Sequence, residues 1–171
     1  MNIIIQSNLK TLQKTNLLLS NLTNEELSNN SVSPYYSSLG CHIRHILDFY
    51  DCILNVNSNK RIDLTARNRN NGVETNCEFA IQYLNVIVDK LNNIDGKVEE
   101  KVYVIDDLGL GKTEIQYTLG AIFAQANSHA IHHYAIINYI LDNLGIMLQD
   151  DDFGYNPTTP KSEINLNLNY Y

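Results

Sequence analysis

Five histidines, grouped in two short clusters, are the residues of this sequence whose types and spacing best suit chemistry. They lie in the segments CHIRH, residues 41–45, and HAIHH, residues 129–133. Neutral imidazole is a favoured ligand of zinc, nickel, copper and iron, and two histidines four residues apart on one helix can bind the same ion. His129 and His133 have that spacing. The sequence therefore predicts a divalent metal site to which the first cluster adds a third ligand.

The apolar pattern around each cluster predicts the direction in which the imidazoles point. The second cluster continues a series of core-type positions spaced by three and four residues: Ile122, Ala126, His129, His133, Ile136 and Ile140. Residues four apart differ by about 40° around a helix, so both imidazoles are predicted to face the interior. The series around the first cluster is His42, His45 or Ile46, Phe49, Ile53 and Val56. It brings at least one more histidine inward and does not choose between His42 and His45.

Histidines that converge in an apolar interior need polar partners. A buried neutral imidazole without a partner would cost about 1–3 kcal/mol, and a bound metal removes that cost. Three ligands from two helices would leave a coordination position open to water or substrate, which is typical of catalytic metal sites. The alternative is a protein whose histidines only form hydrogen bonds.

Four long amphipathic segments are predicted to position these side chains. Helices are expected over about residues 2–29, 37–56, 74–93 and 119–144, because apolar residues recur there every three or four positions. Ser37 or Ser38 is a suitable N-cap for the second helix, and Gly145 is a suitable C-cap for the fourth. Runs rich in β-branched residues flank DDLGLGK, residues 106–112, and predict a hairpin between the third and fourth helices.

The fold class that follows is mainly α, a four-helix bundle with a small β-hairpin between the third and fourth long helices. An unrelated small α+β domain is the alternative. Residues 1–148 are expected to form the bundle domain, and residues 149–171 an irregular tail that packs on it or extends from it. The segment LGLGKT lacks the full spacing of a phosphate-binding loop and is interpreted as a hairpin turn.

The overall charge excludes some classes of partner. The chain of 171 residues has 19 acidic and 12 basic residues, a formal net charge of −7. Nucleic acids and anionic membranes bind basic surfaces, so neither is an expected partner. The sequence lacks the roughly 18 consecutive apolar residues of a membrane span, and its first residues do not resemble a signal peptide. Three scattered cysteines do not suggest a disulfide framework, so a cytoplasmic protein is expected.

The two histidine clusters resemble those of the DinB/YfiT-like family of metalloenzymes, the DinB superfamily. The segment SLGCHIRH, residues 38–45, is similar to the S-I-G-x-x-x-x-H segment that opens the second helix of that family, and it aligns His45 with the family's histidine. His129, His132 and His133 match its H-x-x-H-H segment, in which the first and last histidines are the usual ligands. RNR at 67–69 with Glu74-Thr75, and FGY at 153–155, resemble one subgroup. The similarity extends from about Ser38 to Thr159.

The resemblance implies a bundle with a helix–strand–helix excursion and a metal site formed by His45, His129 and His133. It implies a divalent metal ion as cofactor, zinc or nickel, and frequent homodimerisation. Characterised relatives include transferases and isomerases that use bacillithiol, mycothiol or glutathione. A small-molecule substrate, and a low-molecular-weight thiol in particular, is therefore the implied partner.

Several polar residues near the clusters have two interpretations. Cys41, four residues before His45, could supply a thiolate as a fourth ligand, although a small buried apolar residue is the favoured interpretation. Cys52 is about 10.5 Å beyond His45 along a helix, too far to share its ion. Asp48 either orients an imidazole or faces solvent.

The arginines and the two remaining histidines are open in the same way. Arg44, Arg67 and Arg69 could bind a substrate carboxylate through forked hydrogen bonds, and for Arg67 and Arg69 a solvated loop is the equal alternative. His132 is rotated by about 100° from His133 and is predicted to face a neighbouring helix or a subunit interface. His42 is an alternative ligand, a residue that supports the ligands, or a surface residue.

The leading functional hypothesis is a metal-dependent enzyme of the thiol S-transferase type, in which the ion lowers the pKa of a low-molecular-weight thiol. A metal-dependent hydrolase is the runner-up, because no carboxylate base is evident beside the histidines. The alternative from another class is a non-catalytic metal-binding or stress-related interaction protein. A fourth position closed by Cys41 or His42 would favour that alternative.

Overall fold

A computed structural model of the protein describes residues 2–94 and 96–159. The helices are α1 (Ile3–Leu19), α2 (Asn24–Ser28), α3 (Leu39–Leu54), α4 (Asn71–Thr75), α5 (Cys77–Asn92) and α6 (Leu119–Leu144). The strands are β1 (Arg61–Asp63), β2 (Lys101–Asp107) and β3 (Lys112–Thr118). The protein is therefore mainly helical with a small three-stranded sheet, which agrees with the predicted fold class at that level.

The two helices that carry the histidines have the bounds that their caps predict. The Ser38 hydroxyl accepts a hydrogen bond from the Cys41 amide at 3.0 Å at the start of α3. The Thr118 hydroxyl accepts one from the Ala121 amide at 3.1 Å at the start of α6. α6 ends at Gly145, whose φ of 67° lies in the left-handed region that favours glycine.

The first and third predicted helices are each interrupted. Residues 2–29 form α1 and a separate short helix, α2, which begins at a capping box between Thr23 and Glu26. Residues 74–93 include the end of α4, and α5 starts afresh at Cys77 because the Asn76 side chain caps the Phe79 amide. The predicted third helix therefore consists of the end of α4 and a separate helix, α5.

The predicted hairpin is confirmed, and a third strand extends it. β2 pairs antiparallel with β3, and β1, which lies between α3 and α4, pairs parallel with β2. Ile62, Val102 and Val104 are buried, whereas Tyr103 is exposed, so one face of the sheet packs on the protein core. The turn at residues 107–112 has Gly109 and Gly111 at positive φ, as a tight hairpin turn requires.

α1 and α3 each pack against both α5 and α6. α1 carries three buried polar residues, Asn8, Thr11 and Thr15. The Tyr50 hydroxyl of α3 donates to Asn8 Oδ1 at 2.6 Å. The Tyr134 hydroxyl of α6 lies 2.5 Å from Thr15 Oγ1 and donates to the carbonyl of Thr11 at 3.0 Å. Helix α1 is therefore hydrogen-bonded to both helices that carry the histidines.

The start of the predicted tail packs on the rest of the protein. Phe153 is buried and stacks on Tyr134 with the ring centroids 4.8 Å apart. The predicted tail extends to residue 171, and residues 160–171 lie outside the described residues. Across residues 2–94 and 96–159, no helix has the length and hydropathy that crossing a membrane demands.

Candidate metal centre

His45 on α3 and the pair His129 and His133 on α6 converge at one point of the helix interface. Candidate ligand atoms of the three side chains all lie within 4.8 Å of one another. Nε2 of His45 is 2.9 Å from Nε2 of His129. The ring centroids are separated by 4.6 to 4.9 Å. The structure thus brings together the three residues that the sequence analysis assigns as ligands, named below as the His triad.

The triad lies at the border of the core and not in its centre, which corrects the predicted core positions of the histidines. On α6 the fully buried positions beside the histidines are Ala130 and Tyr134, whereas His129 and His133 are half-buried. On α3 His42 and His45 are half-buried, and the fully buried hydrophobic positions are Leu39, Ile43, Ile46, Leu47, Tyr50 and Ile53. The predicted core positions that are buried are Ile46, Phe49 and Ile53 on the first series and Ile122, Ala126 and Ile140 on the second. The histidines, Val56 and Ile136 are the predicted core positions that are only half-buried. The imidazoles are therefore within reach of solvent.

Each triad residue has a neighbour that restrains its ring. A terminal nitrogen of Arg67 is 2.9 Å from Nδ1 of His45. Nδ1 of His42 is 2.9 Å from Nδ1 of His133, and Nε2 of His42 is 2.8 Å from the Ser37 hydroxyl. The Phe49 ring stacks on His129 with centroids 4.8 Å apart. Contacts on both sides of each imidazole limit its rotation and orient the nitrogens.

The environment favours neutral imidazoles. Burial, followed by the positive charge of Arg67, lowers the pKa of His45 to about 4. Burial and the neighbouring histidines lower the pKa of His133 to about 3. Burial also lowers the pKa of His129, with a smaller opposing effect of Asp106. At neutral pH all three side chains carry the lone pair that a metal ligand requires.

The donor set fits a divalent transition-metal ion. Zn–N bonds of about 2.0–2.1 Å at tetrahedral angles place two ligand nitrogens about 3.3 Å apart. The nitrogens of the triad span this value, since the His45 and His129 pair is at 2.9 Å and all three lie within 4.8 Å. Three imidazoles suit zinc, nickel, copper and iron and do not suit magnesium or calcium, which bind oxygen.

The other candidate ligands are not part of the triad. Cys41 is half-buried but lies outside the cluster of ligand atoms, as does His42. The Cys52 thiol is directed at the Ala66 carbonyl, and burial raises its pKa to about 11. Cys77 is buried at the start of α5 with its thiol against the Leu22 carbonyl.

Asp48 was predicted either to orient an imidazole or to face solvent. The structure shows neither. Asp48 is 1% exposed and accepts hydrogen bonds from Arg44 at 3.1 Å and from the Tyr83 hydroxyl at 3.2 Å. Arg44 also pairs with Glu74. The charge of Arg44 is therefore neutralised within the protein, which removes it as a carboxylate-binding candidate.

His132 is exposed and touches only the ring edge of His133 among aromatic groups of the described chain.

Sequence reasoning missed the contacts of the triad with Arg67 and between His42 and His133. Arg67 lies 22 residues from His45 in a loop, and no local pattern indicates which of the loop arginines turns inward. The position of His42, three residues before His45 on the same helix, does place it beside the triad.

Compared with models of protein families, with curated proteins and with solved structures, the chain has no match in any of the three.

Proposed function

We propose that this protein is a metal-dependent enzyme of the DinB/YfiT-like type, in which His45, His129 and His133 hold one divalent ion. Zinc or nickel is the expected ion, and thiol S-transfer is the expected reaction. The observation that carries the proposal is the convergence of three neutral, half-buried imidazoles from two helices within 4.8 Å. The four long helices would then form the four-helix bundle that the resemblance implies, in a cytoplasmic protein able to form a homodimer.

The accessibility of the triad supports a catalytic site in preference to a structural one. Structural zinc sites are closed by four protein ligands, whereas catalytic sites have three and keep one position open. Among the described residues the cluster has three members, and Cys41 and His42 lie outside it. The imidazoles are half-buried, so part of their surface is exposed to solvent, the side from which a small molecule would approach.

In this proposal the main role of the protein is to bind the metal ion and to orient the histidine rings that hold it. A bound divalent ion would lower the pKa of a thiol ligand, which supplies a thiolate nucleophile at neutral pH. His42 holds the ring of His133 through the 2.9 Å contact between their Nδ1 atoms. Phe49 covers one face of His129 and shields that side from water.

Metal-dependent hydrolysis is the second candidate, because one carboxylate acts on the triad. Asp106, at the end of β2, opposes the lowering of the His129 pKa, so its negative charge is felt at the site. A hydrolase needs a base that accepts a proton from water. Asp106 is not hydrogen-bonded to a triad residue, and it accepts instead from the Asp107 amide at 2.9 Å. Thiol transfer, which does not require that base, remains the first candidate.

Metal content measured by elemental mass spectrometry tests the proposal. Untagged protein is expected to contain about one transition-metal ion per chain, and the variant His129→Ala/His133→Ala is expected to lose it. His132→Ala is the matched control, because His132 neighbours His133 but lies outside the triad. Wild-type protein that binds less than about a tenth of an ion after incubation with zinc or nickel would contradict the proposal.

A further inference from the structure

Arg67 is the cationic residue in contact with the His triad. It lies in the segment between β1 and α4, where its Nε donates to the Leu64 carbonyl at 3.0 Å. Its terminal nitrogen Nη1 is 2.9 Å from Nδ1 of His45. The side chain is half-buried. The bond to Leu64 holds the base of the guanidinium, and the far end is directed at the triad.

Arg67 has no carboxylate partner in the part of the chain that the structure describes. Of the other arginines, Arg44 pairs there with Asp48 and Glu74, and Arg61 pairs with Glu114. Arg69 has no ion pair there either, but it is exposed to solvent. None of the seven ion pairs found among residues 2–94 and 96–159 includes Arg67. A half-buried charge without a counter-charge is unfavourable, so an anion that reached this guanidinium would be stabilised.

The contact between Arg67 and His45 cannot persist when His45 binds a metal ion through Nε2. Arginine is only a donor, so Nδ1 of His45 accepts here, and the hydrogen of the neutral ring is on Nε2. When Nε2 donates its lone pair to a metal ion, the ring hydrogen must move to Nδ1. Two donors would then face each other. Arg67 has to leave His45 when an ion binds, while its Nε bond to Leu64 keeps it beside the site.

We propose that Arg67 is the substrate-binding residue of this site and that it selects a small ligand with a carboxylate. This inference rests on the proposed metal site and adds the chemical class of its ligand. The planar guanidinium has two parallel N–H groups that match the two oxygens of a carboxylate. In the metal-free protein His45 occupies the guanidinium, and in the loaded protein the carboxylate replaces His45 as its partner.

Two thiols of similar size that differ in charge test the inference. 3-Mercaptopropionate has a carboxylate where 2-mercaptoethanol has a hydroxyl. Each is titrated into cobalt-loaded protein, and the absorption band of cobalt–thiolate contact reports binding without any turnover. Wild-type protein is expected to bind 3-mercaptopropionate about tenfold to a hundredfold more tightly, the range of a charge-assisted hydrogen-bonded pair. Arg67→Gln is expected to lose this preference. Arg69→Gln is the matched control, since Arg69 is exposed two residues away.

A second readout separates ligand binding from a merely structural role of Arg67. Arg67→Gln removes a positive charge and a competitor for His45, so its affinity for cobalt alone should rise by about tenfold. The same substitution would thus strengthen cobalt binding and weaken carboxylate selection. A residue that only supports the fold would lower both affinities when it is replaced.

The possible results distinguish this inference from the proposed function. Equal affinity of the wild type for the two thiols would overturn the role of Arg67 and leave the thiol-binding metal site intact. A loss of cobalt affinity in Arg67→Gln would overturn it too, in favour of a structural role. Failure of the wild type to bind cobalt would overturn both proposals.

Discussion

Gly40 offers the sharpest test of how closely α4 packs on α3, the helix that carries His45. It is the second residue of α3, five residues before His45, and α4 passes directly over it. A Cβ atom at this position would lie 2.1 Å from the Glu74 carbonyl oxygen and 2.8 Å from Glu74 Cα. Both are backbone atoms, so no side-chain rotation relieves the overlap. Gly40→Ala must therefore push α4 away from α3.

The magnitude follows from the overlap. The oxygen has to retreat by about 1 Å, and overpacking of this kind costs about 1–3 kcal/mol. Alanine regains less than about 1 kcal/mol through its higher helix propensity. With a cost near the upper end of that range, because backbone must move, the net loss is about 2 kcal/mol. For a chain of this length that corresponds to a melting temperature lower by roughly 4–8 °C.

Gly120→Ala is a closely matched control. Gly120 is likewise the second residue of a long helix and follows a leucine, so the gain in helix propensity is the same. Its added Cβ would meet Ile4 Cδ1 and the Val98 carbonyl oxygen at 3.1 Å, which requires shifts of only a few tenths of an ångström. Calorimetry should show a change within about 1 kcal/mol for this variant. If Gly40→Ala melted within about 2 °C of Gly120→Ala, the inferred close approach of α3 and α4 would be refuted.

Three further outcomes are expected. Because burial lowers the pKa of His45 to about 4 and that of His133 to about 3, the metal-free folded protein resists protons that the unfolded chain accepts below about pH 6.5. Its melting temperature should therefore fall as the pH decreases from about 6.5 to 4, and His133→Asn should flatten that slope; an unchanged slope would contradict the assignment. Tyr134→Phe removes the hydroxyl that contacts Thr15 at 2.5 Å and should lower the free energy of unfolding in urea by about 1–2 kcal/mol; an unchanged free energy of unfolding would contradict that contact. Burial raises the Cys52 pKa to about 11, so mass spectrometry should find this thiol almost unmodified by iodoacetamide at pH 8, and alkylation as fast as in the urea-unfolded chain would disprove its burial.

The long helices were predictable because their ends have local chemical signals. α6 runs from Leu119 to Leu144, as its apolar spacing and Gly145 predict. The break before α2 also has a local signal, because Thr23 and Glu26 form a capping box. The apolar spacing continues across the break, and the break is therefore hard to recognise in the sequence. β1 has only three residues, and its parallel pairing with β2 joins segments some 40 positions apart, so no local pattern identifies it.

The candidate metal centre likewise has features that the sequence shows and features that it does not. The spacing of His129 and His133 is a property of one helix and is visible in the sequence. Their position relative to the core is not, because Ala130 and Tyr134 take the buried face and Tyr134 does so with a polar hydroxyl that an apolar pattern does not anticipate. The choice of Arg67 and not Arg69 as the neighbour of His45 depends on the path of a loop. Arg69 has a φ of 51°, a turn in the backbone that separates the two arginines.

Helix α1 contributes no residue to the His triad, yet it is hydrogen-bonded to both helices that carry the triad. One tyrosine from α3 and one from α6 end on α1, where Tyr50 reaches Asn8 and Tyr134 reaches Thr15. A slide of either helix by one residue would displace its tyrosine by about 1.5 Å and break these bonds. The bonds to α1 thus restrain the axial positions of α3 and α6, and with them the position of His45 relative to His129 and His133. Two chains with identical histidines but different residues at positions 8 and 15 need not share a metal affinity, and a search for relatives by histidine motif alone would not tell them apart.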